Sequence, residues 1–169
     1  AGVYVIKDYD ENINLMVDKA SVAAQTIKGV LNQHVVYYSK QFDDQTARNE
    51  ELKRDLKLAI KNDEFVAFYQ PKVDINSGKL VGAEALIRWQ TKDNRLIPPG
   101  DFIPLSEKTG LVTDLDMIVF EKVLAFLRRS LDEGIECVPI SVNFSRLHFS
   151  NEKFLPTLLQ KMEKYQVPA

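Results

Sequence analysis

The chain has 169 residues, 22 Lys and Arg against 24 Asp and Glu, a formal net charge of −2 and 45% hydrophobic residues. That balance argues against a nucleic-acid polymer as partner and supplies enough apolar side chain for a real core. No run reaches the ~20 apolar residues of a membrane helix and no secretory leader is visible, so a cytoplasmic setting without membrane contact from this segment is expected. The single cysteine, Cys137, cannot form an internal disulfide. In the run Glu136-Cys137-Val138-Pro139-Ile140 it reads as a small buried hydrophobe.

Along the chain, Gly2-Val3-Tyr4-Val5-Ile6 is β-rich and the acidic stretch Asp8 to Asn12 is turn-prone. From Ile13 the apolar positions Met16/Val17, Ala20, Ala23/Ala24, Ile27 and Leu31 recur at helical spacing, with Gly29 near the stop. Val35 to Tyr38 reads as a second strand. Asp43 to Asn62 is polar and strongly helix-forming, with Leu52, Leu56 and Ala59/Ile60 on one stripe, as in an interdomain connector. Phe65 to Val73 and Lys79 to Trp89 flank the turn Asn76-Ser77-Gly78 and predict an antiparallel hairpin. Pro98 and Pro99 open a short helix carrying Phe102, Leu105 and Glu107. Leu115, Ile118, Val119, Val123, Phe126, Leu127 and Leu131 predict an amphipathic helix ended by Gly134. Val138 to Phe144 reads as a buried strand, and a last helix runs from about Leu155 to Tyr165, with Pro156 in its first turn.

The octet Gly82-Ala83-Glu84-Ala85-Leu86-Ile87-Arg88-Trp89 carries the most information. On a strand, Glu84, Leu86 and Arg88 share one face, and Ala83, Ala85, Ile87 and Trp89 the other. The second face is uniformly apolar, as packing under helices requires. The first aligns a hard carboxylate with a planar guanidinium, the beginnings of a site for a metal and a phosphate.

Glu84-Ala85-Leu86-Ile87-Arg88-Trp89 resembles the signature of the EAL family of cyclic di-GMP phosphodiesterases. Three further segments extend the resemblance in the family's order: Phe68-Tyr69-Gln70-Pro71, Pro99 to Glu107 (with Ser106 where Ala is usual) and Ser141-Val142-Asn143-Phe144-Ser145. Residues 1–42 resemble, more loosely, the carboxyl-terminal end of a GGDEF (diguanylate cyclase) domain, through Asp18-Lys19-Ala20-Ser21-Val22-Ala23 and Lys28-Gly29. The resemblance implies an α/β fold: part of an EAL-type (β/α)8 TIM-like barrel with an antiparallel first strand over 63–169, a connecting helix over 43–62 and a small α+β GGDEF-like remnant before it. Roughly 120 residues of barrel-like sequence are less than half of the roughly 250 a closed barrel takes, so a piece of a longer protein is expected.

By the same resemblance, Glu84 and Asn143 are ligands for Mg²⁺ or Mn²⁺, and Arg88, Gln70 and Leu86 contact the cyclic di-GMP substrate. Glu107 supports a loop or caps a helix. Without the neighbouring motifs, Glu84 would read as a strand carboxylate paired with Arg88, and Asn143 as a strand-end amide. Ser145 reads as structural, His34 and His148 as surface or packed histidines, and Arg128-Arg129 as solvated. The implied reaction is two-metal hydrolysis of one phosphodiester of cyclic di-GMP by the parent protein, with this segment alone inactive. The alternatives are a degenerate tandem that binds the dinucleotide as a receptor, or a segment acting mainly by self-association through an exposed strand edge.

Overall fold

The computed structural model describes residues 1–6, 12–27 and 34–168. Most of the acidic stretch after residue 7, together with Lys28-Gly29 and Leu31, lies outside the described residues. The chain divides into two compact units, Ala1–Leu52 and Lys53–Ala169.

In the first unit, β1 (Gly2–Val3) pairs in parallel with β2 (Val36–Tyr37), and α1 (Ile13–Thr26) lies between them in sequence. Asn12 caps α1 by accepting the Asn14 N–H at 2.8 Å. The expected first strand is only two residues long. It approaches α1 so closely that a Cβ at Gly2 would stand 1.9 Å from the Ala20 carbonyl oxygen, which glycine alone avoids. Tyr38 meets Tyr4 edge-on at 5.5 Å and donates its hydroxyl to Asp43. Helix α2 (Lys40–Lys61) starts earlier than its polar composition predicts and runs from the first unit into the second, where Leu56 and Ala59 are buried.

The second unit is built on the hairpin of β3 (Phe65–Val73) and β4 (Leu80–Gln90). Its turn closes as Asp74 Oδ1 accepts the Ser77 N–H at 2.7 Å, and Gly78 supplies the positive φ of +67°. Two short strands share the other side of β4. β5 (Leu96–Ile97) lies antiparallel to Trp89 and Gln90, whereas β6 (Ile140–Val142) lies parallel to residues 83–85. Sequence reading missed β5, because two residues are too few to show a period. Helices α3 (Pro99–Thr109), α4 (Val112–Asp132) and α5 (Phe154–Tyr165) complete the unit.

The apolar face of β4 packs as its alternation demands. Ala85 clusters with Val119 and Val123 of α4, and Ala67, Tyr69, Ile87 and Ile140 surround them. Phe65, Trp89 and Phe102 form a second knot, with ring centroids 5.6 to 5.9 Å apart and Trp89 Nε1 donating to Glu64 Oε2 at 3.0 Å.

Three expectations are corrected. The strand over Val138–Phe144 shrinks to β6. It pairs with β4 alone among the described residues, and Pro139, lacking an N–H, contributes only its carbonyl, which accepts from Ala83 at 2.9 Å. Cys137 therefore falls in an irregular approach and is half-buried rather than in the core. Arg128 is also half-buried, donating Nη1 to the Gln166 carbonyl at 2.9 Å and Nη2 to Asp132 at 2.6 Å, and so joins the ends of α4 and α5.

Candidate functional site

The face of the sheet opposite the core carries the polar residues. Strand register makes Gln70 the direct partner of Glu84, and Phe68 that of Leu86, while Ser141 lies beside Glu84 from the other flank. Asn143, one residue beyond the end of β6, is on this same face and donates Nδ2 to Glu84 Oε1 at 2.7 Å. Two side chains 59 positions apart thus converge. Sequence reading did not single out Lys72, whose Nζ donates to Ser141 Oγ at 2.7 Å on this face.

Arg88 does not pair with Glu84. Its Nη1 donates to the Ile87 carbonyl at 2.8 Å, and its guanidinium carbon lies 5.6 Å from the centre of the Phe68 ring. Arg88, Leu86 and Asn143 line a cavity of about 320 Å³, together with Ile103, Glu107 and Asp116. Gln70 and Glu84 are not in that wall; they lie on the open sheet beside it. Glu107 is exposed, in the last turn of α3, and its backbone carbonyl accepts the Gly110 N–H at 3.3 Å.

Asp116 was not anticipated. Val112, Asp116, Val119 and Val123 occupy one stripe of α4, at i, i+4, i+7 and i+11, and the single carboxylate in an apolar stripe was the available signal. Its Oδ2 accepts the Ser145 N–H at 2.7 Å and lies 3.1 Å from His148 Nε2. Burial raises the Asp116 carboxyl above its ordinary value, against the lowering pull of the Ser145 N–H and of His148. His148 is packed inside, stacked on Phe154 at 4.4 Å, and His34 is exposed. Ser145 Oγ accepts the Leu147 N–H and caps a short 3-10 turn, Arg146–Ser150.

The donor chemistry fits a hard divalent cation in part. With Asn143 Nδ2 turned to Glu84 Oε1, Glu84 Oε2 and Asn143 Oδ1 are the oxygens such an ion would use. No group of three or more His, Cys, Asp or Glu side chains gathers to hold a metal among the described residues.

The mixed sheet with its helices is an α/β fold whose open face carries Glu84, Asn143 and Arg88. The EAL domain family model matches residues 53–169, and the chain belongs to that family. It is 33% identical over 96% of its length to the signaling protein YkoW of Bacillus subtilis, covering 20% of that protein. It is 40% identical over 60% of its length to the bifunctional diguanylate cyclase/cyclic di-GMP phosphodiesterase MucR of Pseudomonas aeruginosa, covering 15% of that protein. A solved structure of the PaMucR phosphodiesterase in complex with c-di-GMP superposes on 69% of this chain with TM-score 0.63 and 34% identity, over 47% of the solved chain. The chain thus spans about a fifth of the length of such curated relatives. No described helix is long and apolar enough to cross a membrane.

Proposed function

We propose that this chain contributes the first cation ligands and the phosphate-reading arginine of a cyclic di-GMP phosphodiesterase. The observation that carries the reading is the 2.7 Å approach of Asn143 to Glu84 on the open sheet face, with Arg88 on the same face of the same strand. Glu84 and Asn143 would hold Mg²⁺ or Mn²⁺, Arg88 would fork onto a phosphodiester oxygen, and Leu86 and Gln70 would flank the dinucleotide. A bound divalent ion supplies positive charge to the phosphodiester and lowers the pKa of a water. Arg88 is held off Glu84, so its fork stays available to an anion instead of being neutralised by the carboxylate.

Two protein oxygens make a weak cation site, so the chain by itself binds metal poorly and does not turn over. Retention of Glu84 favours an enzyme over a receptor as the parent. The β1–α1–β2 arrangement supports reading residues 1–42 as the end of a GGDEF domain. A cytoplasmic location belongs to the same reading.

Titration of the chain with Mn²⁺, followed by the loss of the free-ion signal in electron paramagnetic resonance, tests the site. Wild type should bind weakly and Glu84→Gln not measurably. Equal binding by the two would overturn the cation site, and clear hydrolysis of cyclic di-GMP by the chain alone would overturn its inactivity in isolation.

A further inference from the structure

Asn143 stands just past the last residue that β6 contributes to the sheet. The segment after Asn143 is also held from the helix side. Two residues on, the Ser145 N–H donates to Asp116 Oδ2 at 2.7 Å, and this oxygen is only 3.1 Å from His148 Nε2. One carboxylate oxygen thereby ties the strand exit to α4 and to the adjoining 3-10 turn. The anchor is itself braced: the His148 ring is 6% exposed, stacks on Phe154 at 4.4 Å and meets Phe144 edge-on at 5.5 Å. Phe144, the residue between Asn143 and Ser145, is clamped in turn by Phe120 of α4 at 5.7 Å.

A helix of this kind would bury an apolar residue at position 116, as it does at 112, 119 and 123. A carboxylate there carries a desolvation cost that only directed hydrogen bonds offset.

We infer that Asp116 and His148 are positioning residues that aim the Asn143 side chain at Glu84. In this role they act through the backbone that follows Asn143 and not as cation ligands. Asp116 fixes the backbone at Ser145, and His148 fixes the Asp116 carboxylate. The inference rests on the Glu84–Asn143 pair being the cation site, and it extends that site into the helix layer. Partners outside the ligand shell of a metal site commonly change affinity by roughly 10–100-fold.

The test uses the whole chain with three substitutions, each measured well below its own melting temperature. Asp116→Ala removes both hydrogen bonds, Asp116→Asn keeps one acceptor, and His148→Phe keeps the stacking while deleting the polar contact. The first readout needs no metal: the nuclear Overhauser contact between the Asn143 side-chain amide protons and Glu84. It should be present in wild type, weakened in Asp116→Asn and His148→Phe, and lost in Asp116→Ala. The second readout is Mn²⁺ affinity, expected to fall about tenfold or more in Asp116→Ala. If wild type binds no Mn²⁺, the cation reading fails while the amide contact still decides the positioning role. If Asp116→Ala does not fold, Asp116→Asn and His148→Phe decide it. Variants that melt earlier but keep the amide contact and the wild-type affinity would overturn the inference and leave Asp116 a packing residue.

Discussion

Asn143 Nδ2 and Glu84 Oε1 are 2.7 Å apart, although one residue leaves β6 and the other sits inside β4. A neutral amide beside the carboxylate keeps a single negative charge at this point of the sheet. Asn143→Asp would set two carboxylates together, a like-charge contact that a divalent cation relieves. The melting temperature of Asn143→Asp should therefore fall in metal-free buffer and rise with millimolar Mn²⁺ by more than that of wild type, since an ion bound to the native state stabilises it. No Mn²⁺-dependent rise would rule out a cation at this pair.

Arg88 presents a planar fork, and lysine would present a point charge. Arg88→Lys should weaken cyclic di-GMP binding by about tenfold, the loss of roughly 1.4 kcal/mol expected when a two-pronged phosphate contact becomes single. Isothermal titration checks this, and equal affinities would remove Arg88 from phosphate recognition.

The Phe65–Trp89–Phe102 knot supports the carboxyl end of β4, where Arg88 is. Phe102 is fully buried, and Phe102→Ala should cost about 3–5 kcal/mol in urea unfolding. Trp89→Phe keeps most of the packing but strands the Glu64 contact, for about 1 kcal/mol. If Trp89→Phe proved the costlier change, the hydrogen bond would matter more than the ring packing.

Glu121 of α4 accepts from Lys161 Nζ and, at 3.3 Å, from Tyr165 Oη, both on α5. The Lys161 hydrogen bond is the largest influence on its carboxyl, holding it below the ordinary value against the upward push of burial. A carboxyl lowered on folding stabilises the chain above its unfolded pKa, and that contribution disappears as pH falls through the folded value. Acidification below about pH 4.3 should thus loosen α5, read as faster amide exchange across Phe154–Tyr165. Glu121→Gln should lack this pH response, and an unchanged response in that variant would locate the titration elsewhere.

The sheet also presents an exposed edge and an exposed aromatic side chain. β6 pairs on one side only among the described residues, and Phe68 on the open face is 44% exposed. Self-association is expected, with the apparent mass in sedimentation equilibrium rising with concentration and Phe68→Lys suppressing the rise. A wild-type monomer at every concentration would contradict it.

Elements with a strong local signal were legible. The hairpin of β3 and β4 arises from two patterned runs around Asn76-Ser77-Gly78, and α4 from its apolar stripe. β5 was invisible because its two residues become a strand only by meeting Trp89 and Gln90. β6 was overestimated because an apolar run reads alike whether or not a neighbour pairs with it. Cys137 and Arg128 were misplaced for related reasons: the thiol sits before the ladder begins, and the guanidinium finds the end of α5, 38 residues away.

What sequence alone determined was the division of β4 into a core face and a polar face, since side chains on a strand alternate whatever lies beside them. It also determined which residue types stand on the polar face: Glu84, Leu86 and Arg88, with Gln70 on the preceding strand. Only the tertiary structure decided that Gln70 lies opposite Glu84, that Asn143 reaches Glu84 while Arg88 does not, and that Asp116 and His148 close behind Asn143. Those contacts depend on register and packing between segments far apart in the chain. A one-residue slip of β6 would send its side chains to the other face, and no local pattern around residue 143 records which register is taken.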